Sequence, residues 1–164
     1  MYLSEFFNYK NKLMEDLLTS EKVVKLVKPE IDFEDANTLA YTHIFPYEQL
    51  PSTTEDGRTY ICFDVDIERV YNKTFLAPVI YIWVFSHQSA LRLPKGGVRT
   101  DELCAEITEI LDGSRYYGLG ELNLYSVKRF SPMTDYQGKC LTFRTKEYNR
   151  DSPTGKPIPT RRAI

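Results

Sequence analysis

The sequence is short of the residues that most enzymes and secreted scaffolds depend on. Its 164 residues include only three cysteines and two histidines. Cys62, Cys104 and Cys140 form no C-x-x-C pair, and an odd number cannot all pair within one chain, so they read as reduced thiols of a cytosolic protein. His43 and His87 have no partner at metal-ligand spacing, and H-E-x-x-H is absent. The longest apolar run, residues 75–85, is far shorter than the roughly 20 residues that cross a bilayer. The first residues, Met1 to Glu5, lack the basic region and apolar stretch of a signal peptide, which predicts an intracellular protein. An excess of one charge is also missing: 21 basic against 23 acidic side chains leave a net charge of −2, which predicts no general attraction to nucleic acid.

What is present fits one globular domain. The composition is 42% hydrophobic and 27% charged, and Tyr and Phe number 12 and 9. Aromatics on that scale supply core burial and also suit protein interfaces. The charge is unevenly placed: residues 150–164 hold four basic side chains against Asp151, a net +3, which leaves −5 on residues 1–149. An acidic body with a basic tail suits attraction between copies of the same chain, although short tails are also charged for solubility.

Hydrophobic periodicity predicts the elements. Leu3, Phe6, Phe7, Leu13, Met14, Leu17 and Leu18 form a helical stripe over residues 3–18. Ser20 can cap a second helix that runs through Val27 and ends before Pro29. Residues 41–45 suit a short strand, and Pro46, Pro51 and Gly57 punctuate a long loop over 46–58. From residue 59 to 71 the pattern alternates, with Ile61, Phe63, Val65 and Ile67 on one face and Cys62, Asp64, Asp66 and Glu68 on the other. The next strand, 78–86, is apolar on both faces and reads as central, joined to its predecessor by a hairpin near Asn72. Thr100 is placed to cap a helix carrying Leu103, Ile107, Ile110 and Leu111, which Gly113 ends. Residues 122–130 and 139–147 read as two strands joined by a turn through Pro132 and Gly138. The order predicts an α+β fold: a small, mainly antiparallel sheet packed against helices, over residues 1–150. Residues 151–164, with Pro153, Pro157 and Pro159, should form an extended basic tail.

Asp64, Asp66 and Glu68 are the sharpest candidates for chemistry. Alternation places them on one strand face, about 7 Å apart in successive pairs. Two-metal nucleases draw carboxylates from adjacent strands, but they add a Lys or Glu from a second strand, and Glu-x-Lys is missing here. The same carboxylates suit a solvated face, or an acidic surface that lines an assembly. Lys95-Gly96-Gly97 and Gly155-Lys156 do not fit G-x-x-x-x-G-K-[ST], and no G-x-S-x-G elbow occurs. Tyr116, Tyr117 and Tyr125, with Arg115 and Arg129, could stack on single-stranded nucleic acid or could be core and rim aromatics. No cofactor is implied.

Residues 59–150 resemble the tail-terminator proteins of long-tailed bacteriophages, which complete the tail and join it to the head. The likeness lies in the strand Tyr60-Ile61-Cys62-Phe63-Asp64-Val65, the apolar strand ending Ser86-His87, and Val98-Arg99-Thr100-Asp101-Glu102-Leu103 opening a helix that closes at Ile110-Leu111-Asp112-Gly113. Leu122-Asn123-Leu124 and Tyr148-Asn149-Arg150 continue it, and the N-terminal helix also suits the family, while the loop 46–58 and the Pro-rich tail are less typical. The resemblance implies a homo-oligomeric ring, usually a hexamer, that caps the tail tube and meets the head connector in the virion, without catalysis, cofactor or membrane. A ring of this kind could turn Asp64, Asp66 and Glu68 toward DNA passing through its lumen, repelling it so that it slides without specific binding. The tail, through Arg150, Lys156, Ile158, Arg161, Arg162 and Ile164, is expected to dock on a neighbouring chain. Two other classes stay open: a metal-dependent nuclease using the three carboxylates, and a small cellular adaptor.

Overall fold

A computed structural model describes residues 5–50, 58–71, 75–117 and 120–145. Helix α1 spans Glu5–Leu18, α2 Glu21–Val27 and α3 Arg99–Leu111. The strands are β1 Ile44–Phe45, β2 Thr59–Tyr71, β3 Phe75–His87, β4 Leu122–Phe130 and β5 Tyr136–Thr145. They form one sheet in the order β1-β2-β3-β5-β4, parallel only between β1 and β2. This is the expected α+β architecture, with β3 at its centre.

Local signals explain most of the boundaries. The Ser20 hydroxyl accepts from Val23 N at 3.4 Å and so satisfies one of the free donors that open α2. At the end of α3, Asp112 turns into extended backbone and Gly113 takes φ 85°, a left-handed conformation that glycine enters without a Cβ penalty.

Three expectations need correction, and one element was not foreseen. Phe7 is exposed, and Tyr9 takes its place on the buried stripe, because Tyr9 lies four and eight residues before Leu13 and Leu17. Thr100 does not cap α3, which begins at Arg99; the Arg99 N–H instead donates to Leu91 O at 2.7 Å. Gly138 lies inside β5, not in the turn before it. A side chain there would drive a Cβ into the Val84 carbonyl and to 2.6 Å from Phe85 Cα, so only glycine lets β3 and β5 pair at that point. A seven-residue 3-10 helix, Phe33–Leu39, precedes β1 and had no periodic signal.

All three helices pack on one face of the sheet. Leu13 and Leu17 of α1, Val23 and Val24 of α2, and Leu103, Ile107 and Leu111 of α3 meet Ile61, Phe63, Ile80, Ile82, Val84, Leu141 and Phe143 of the strands. Each such side chain contributes about 1.5–3 kcal/mol when fully removed from water. Buried Arg99 ties this layer together: its Nε donates to Ala90 O at 2.7 Å and one Nη to Leu26 O at 2.8 Å, joining α3 to the end of α2.

Candidate functional site

The opposite face of the sheet carries a second cluster, and among the described residues no helical side chain belongs to it. Phe45, Tyr60, Cys62, Phe85 and Tyr136 are buried there, with Trp83, Phe130 and Met133 packed against them and partly exposed. Side chains alternate along each strand, so the register sorts this face into rows. Tyr60, Phe85, Gly138 and Phe130 form one row, and Cys62, Trp83, Cys140 and Lys128 the next. Asp64, Tyr81, Thr142 and Ser126 follow, then Asp66, Val79, Arg144 and Asn123. The face is therefore aromatic at one end and charged at the other.

The rings form a connected network. Tyr60 and Phe85 stack at 5.6 Å, Phe85 meets Phe130 at 5.8 Å, and Trp83 lies 6.5 Å from Phe130. Tyr81 stacks on Trp83 at 6.0 Å with an interplanar angle of 19°, which leads the network toward the carboxylates. Residues 45–50 run beside it: Phe45 contacts Tyr60, Tyr47 contacts Phe45, and the Cys62 thiol donates to Gln49 O at 3.6 Å. Burial pushes the Cys62 thiol up to about 11, and exposed Glu48 adds to that rise. Burial also raises Cys140, with Glu48 again contributing. These thiols stay protonated at neutral pH and are poor nucleophiles.

The three carboxylates do not act together. Ile61 N donates to His43 O beside β1, so by alternation Val65 N points to the same edge, beyond the end of β1. Asp64 Oδ1 accepts from this Val65 N at 2.8 Å and from Lys10 Nζ at 2.7 Å. Lys10 also donates to Pro46 O at 2.8 Å. Asp64 is thus engaged in sealing the strand edge. Glu68 pairs with Arg144 at 2.9 Å, and the Arg144 guanidinium lies 3.6 Å from the centre of the Tyr125 ring. Asp66 is exposed and has no ion pair among the described residues. No group of three or more His, Cys, Asp or Glu among the described residues is arranged to hold a metal ion.

The remaining sequence candidates are dispersed. Tyr117 is buried and donates to Asp16 Oδ2 at 2.6 Å, which makes it a core residue. Tyr116 is exposed beside Lys12, while Arg115 faces Glu121 at 3.9 Å, so the tyrosines do not form one stacking platform. His43 stacks on Tyr60, and His87 Nδ1 accepts from Ser89 N at 3.2 Å to open a short 3-10 turn. Arg150, Lys156, Ile158, Arg161, Arg162 and Ile164 lie outside the described residues. Lys10, Arg144 and the aromatic ladder on β3 went unnoticed in the sequence. The ladder had a signal: Tyr81, Trp83 and Phe85 share one parity of the strand, and Ile80, Ile82 and Val84 share the other.

Among the described residues no helix is long and apolar enough to cross a membrane. No curated protein matches the sequence. The fold is similar to that of a chain in a solved structure titled "Virion of native gene transfer agent (GTA) particle", with a TM-score of 0.54 and 19% identity. The match covers 83% of this chain and 91% of that one. The family model YomW matches residues 2–145, most of the chain, and the chain belongs to the YomW family.

Proposed function

We propose that this chain is a structural protein of a phage or phage-like virion, assembled in the host cytoplasm, and that it acts as a tail terminator. In this reading copies of the chain close into a ring, a hexamer, at the junction of head and tail. The ring caps the tail tube, meets the head connector and lets DNA pass without binding it specifically. Residues 1–150 form the body of each copy, and residues 151–164 are an extended basic tail.

The observation that carries the reading is the shared fold with a chain of a gene transfer agent virion, which spans most of both chains. The resemblance of residues 59–150 to tail terminators points the same way. The sheet adds a physical reason: one face is closed by three helices, while the other presents aromatic side chains with polar tips, a composition suited to contact with protein. The nuclease alternative would require Asp64 and Glu68 to leave Lys10 and Arg144 before they could share a metal.

Mixing the purified protein with a matching tail tube and imaging by electron microscopy tests the role. Tubes capped by a ring at one end are expected. Tubes that keep growing in its presence would contradict it.

A further inference from the structure

We infer that the open face of the sheet is the seat of the C-terminal segment of a second copy of this chain. The prolines of that segment lie on the aromatic rows, and its basic side chains lie against the carboxylates. The inference rests on the proposed function only in requiring more than one copy.

The chemistry matches on two independent counts. Residues 151–164 contain Pro153, Pro157 and Pro159, and proline-rich chain starts close to the polyproline shape that aromatic-lined surfaces accept at low ordering cost. Trp83, Tyr81 and Phe130 are partly exposed on the face, and Tyr47 at its margin is 43% exposed. Lys156 lies between Pro153 and Pro157, and Arg161 and Arg162 follow Pro159. The acceptors on the face are Asp66, which is exposed and has no ion pair among the described residues, and exposed Glu48, which precedes Gln49, whose carbonyl accepts from the Cys62 thiol. Ile158 and Ile164 supply the apolar anchors.

The direction of β5 favours a neighbour over the chain's own face. β5 runs from Tyr136 in the aromatic rows to Arg144 and Thr145 at the charged end, so its last residues head away from the rings. Residues 146–164 would have to reverse to reach the rings of their own copy, but extended they can span roughly 60 Å, enough to reach another.

Trp83 is the single tryptophan of the chain, so its fluorescence reports on this face alone. The test follows the Trp83 emission of the full-length protein, and its quenching by acrylamide, over a concentration series. Three full-length proteins are compared: the parent, a tail variant with Lys156→Glu, Arg161→Glu and Arg162→Glu, and a face variant with Glu48→Lys and Asp66→Lys. Glu48 and Asp66 are exposed, so their replacement leaves the helix-covered core untouched, and circular dichroism confirms that each variant folds.

In the parent, emission should move to shorter wavelength and quenching should fall severalfold as concentration rises. In each variant the midpoint should shift to roughly tenfold higher concentration. Mixing the two variants should restore part of the change, since the tail variant keeps a native face and the face variant a native tail. Identical curves for parent and variants would overturn the inference. So would a tail effect that is independent of concentration and not restored by mixing, which would place the segment on its own copy. Rings that cap tubes without any Trp83 response would leave the proposed function standing and this inference refuted. A full Trp83 response without capping would do the reverse.

Discussion

On β3, Ile80, Ile82 and Val84 face the helices and are fully buried, whereas Tyr81 and Trp83 face the other way and stay partly exposed. The two faces of one sheet thus use different side chains for different ends. Branched aliphatics interdigitate with α1, α2 and α3 and gain most when water is excluded completely. Aromatic rings hold large apolar area beside a polar tip, so they tolerate a face that is dry in one state and wet in another. The helix face holds the fold, and the open face is available for contact.

The strongest way to break this contrast is to empty the helix face. Phe63→Ala, at a fully buried position, should cost about 3–5 kcal/mol in denaturant unfolding. Trp83→Ala on the open face should cost roughly 1–2 kcal/mol while removing assembly. If Trp83→Ala were as destabilising as Phe63→Ala, the open face would belong to the core and the contrast would fail.

Gly138→Ala tests what holds the two faces in register. The added Cβ meets backbone atoms of Val84 and Phe85, which cannot swing aside as a side chain can. A loss of about 3 kcal/mol is expected from this overpacking, measured by thermal unfolding. Arg99→Met, which leaves the Leu26 and Ala90 carbonyls without their donor, should cost roughly 2–3 kcal/mol by the same measurement.

Alkali should weaken both faces together. Burial raises the Cys62 thiol from an ordinary 9.0 to about 11 and the Cys104 thiol to about 12. Tyr117 is also raised, first by burial and then by its bond to Asp16. These acids ionise earlier in the unfolded chain than in the folded one. Stability should therefore hold below the unfolded thiol value of 9.0 and decline as pH rises toward about 11 and 12. Unfolding midpoints flat from pH 8 to 11 would contradict the burial of both thiols. The smallest effect is expected at Asp66→Asn, within about 0.5 kcal/mol, because the side chain is exposed and has no ion pair among the described residues.

Much of this fold was legible because its signals were local. Ser20 before α2, the alternation along β2, and the hairpin between β2 and β3 need only neighbours in sequence to be read. The features that escaped depend on distant chain. Gly138 reads as a turn residue until β3 is set beside it. Thr100 looks like a cap until Leu91 is found supplying the acceptor. Asp64 and Glu68 read as free carboxylates because Lys10 and Arg144 lie on other elements. The open aromatic face was half legible: the run 78–86 showed that both sides of β3 are apolar, but only the three-dimensional arrangement shows that the helices all pack on one of them.

The most direct test of the central claim is a cryo-electron microscopy reconstruction of the intact particle that carries this chain. The account predicts a ring of this chain where the tail meets the head, with Trp83 and Tyr81 of each copy covered by protein of another chain. A reconstruction that finds the chain absent from that junction, or finds those two side chains facing solvent in the assembled particle, would contradict it.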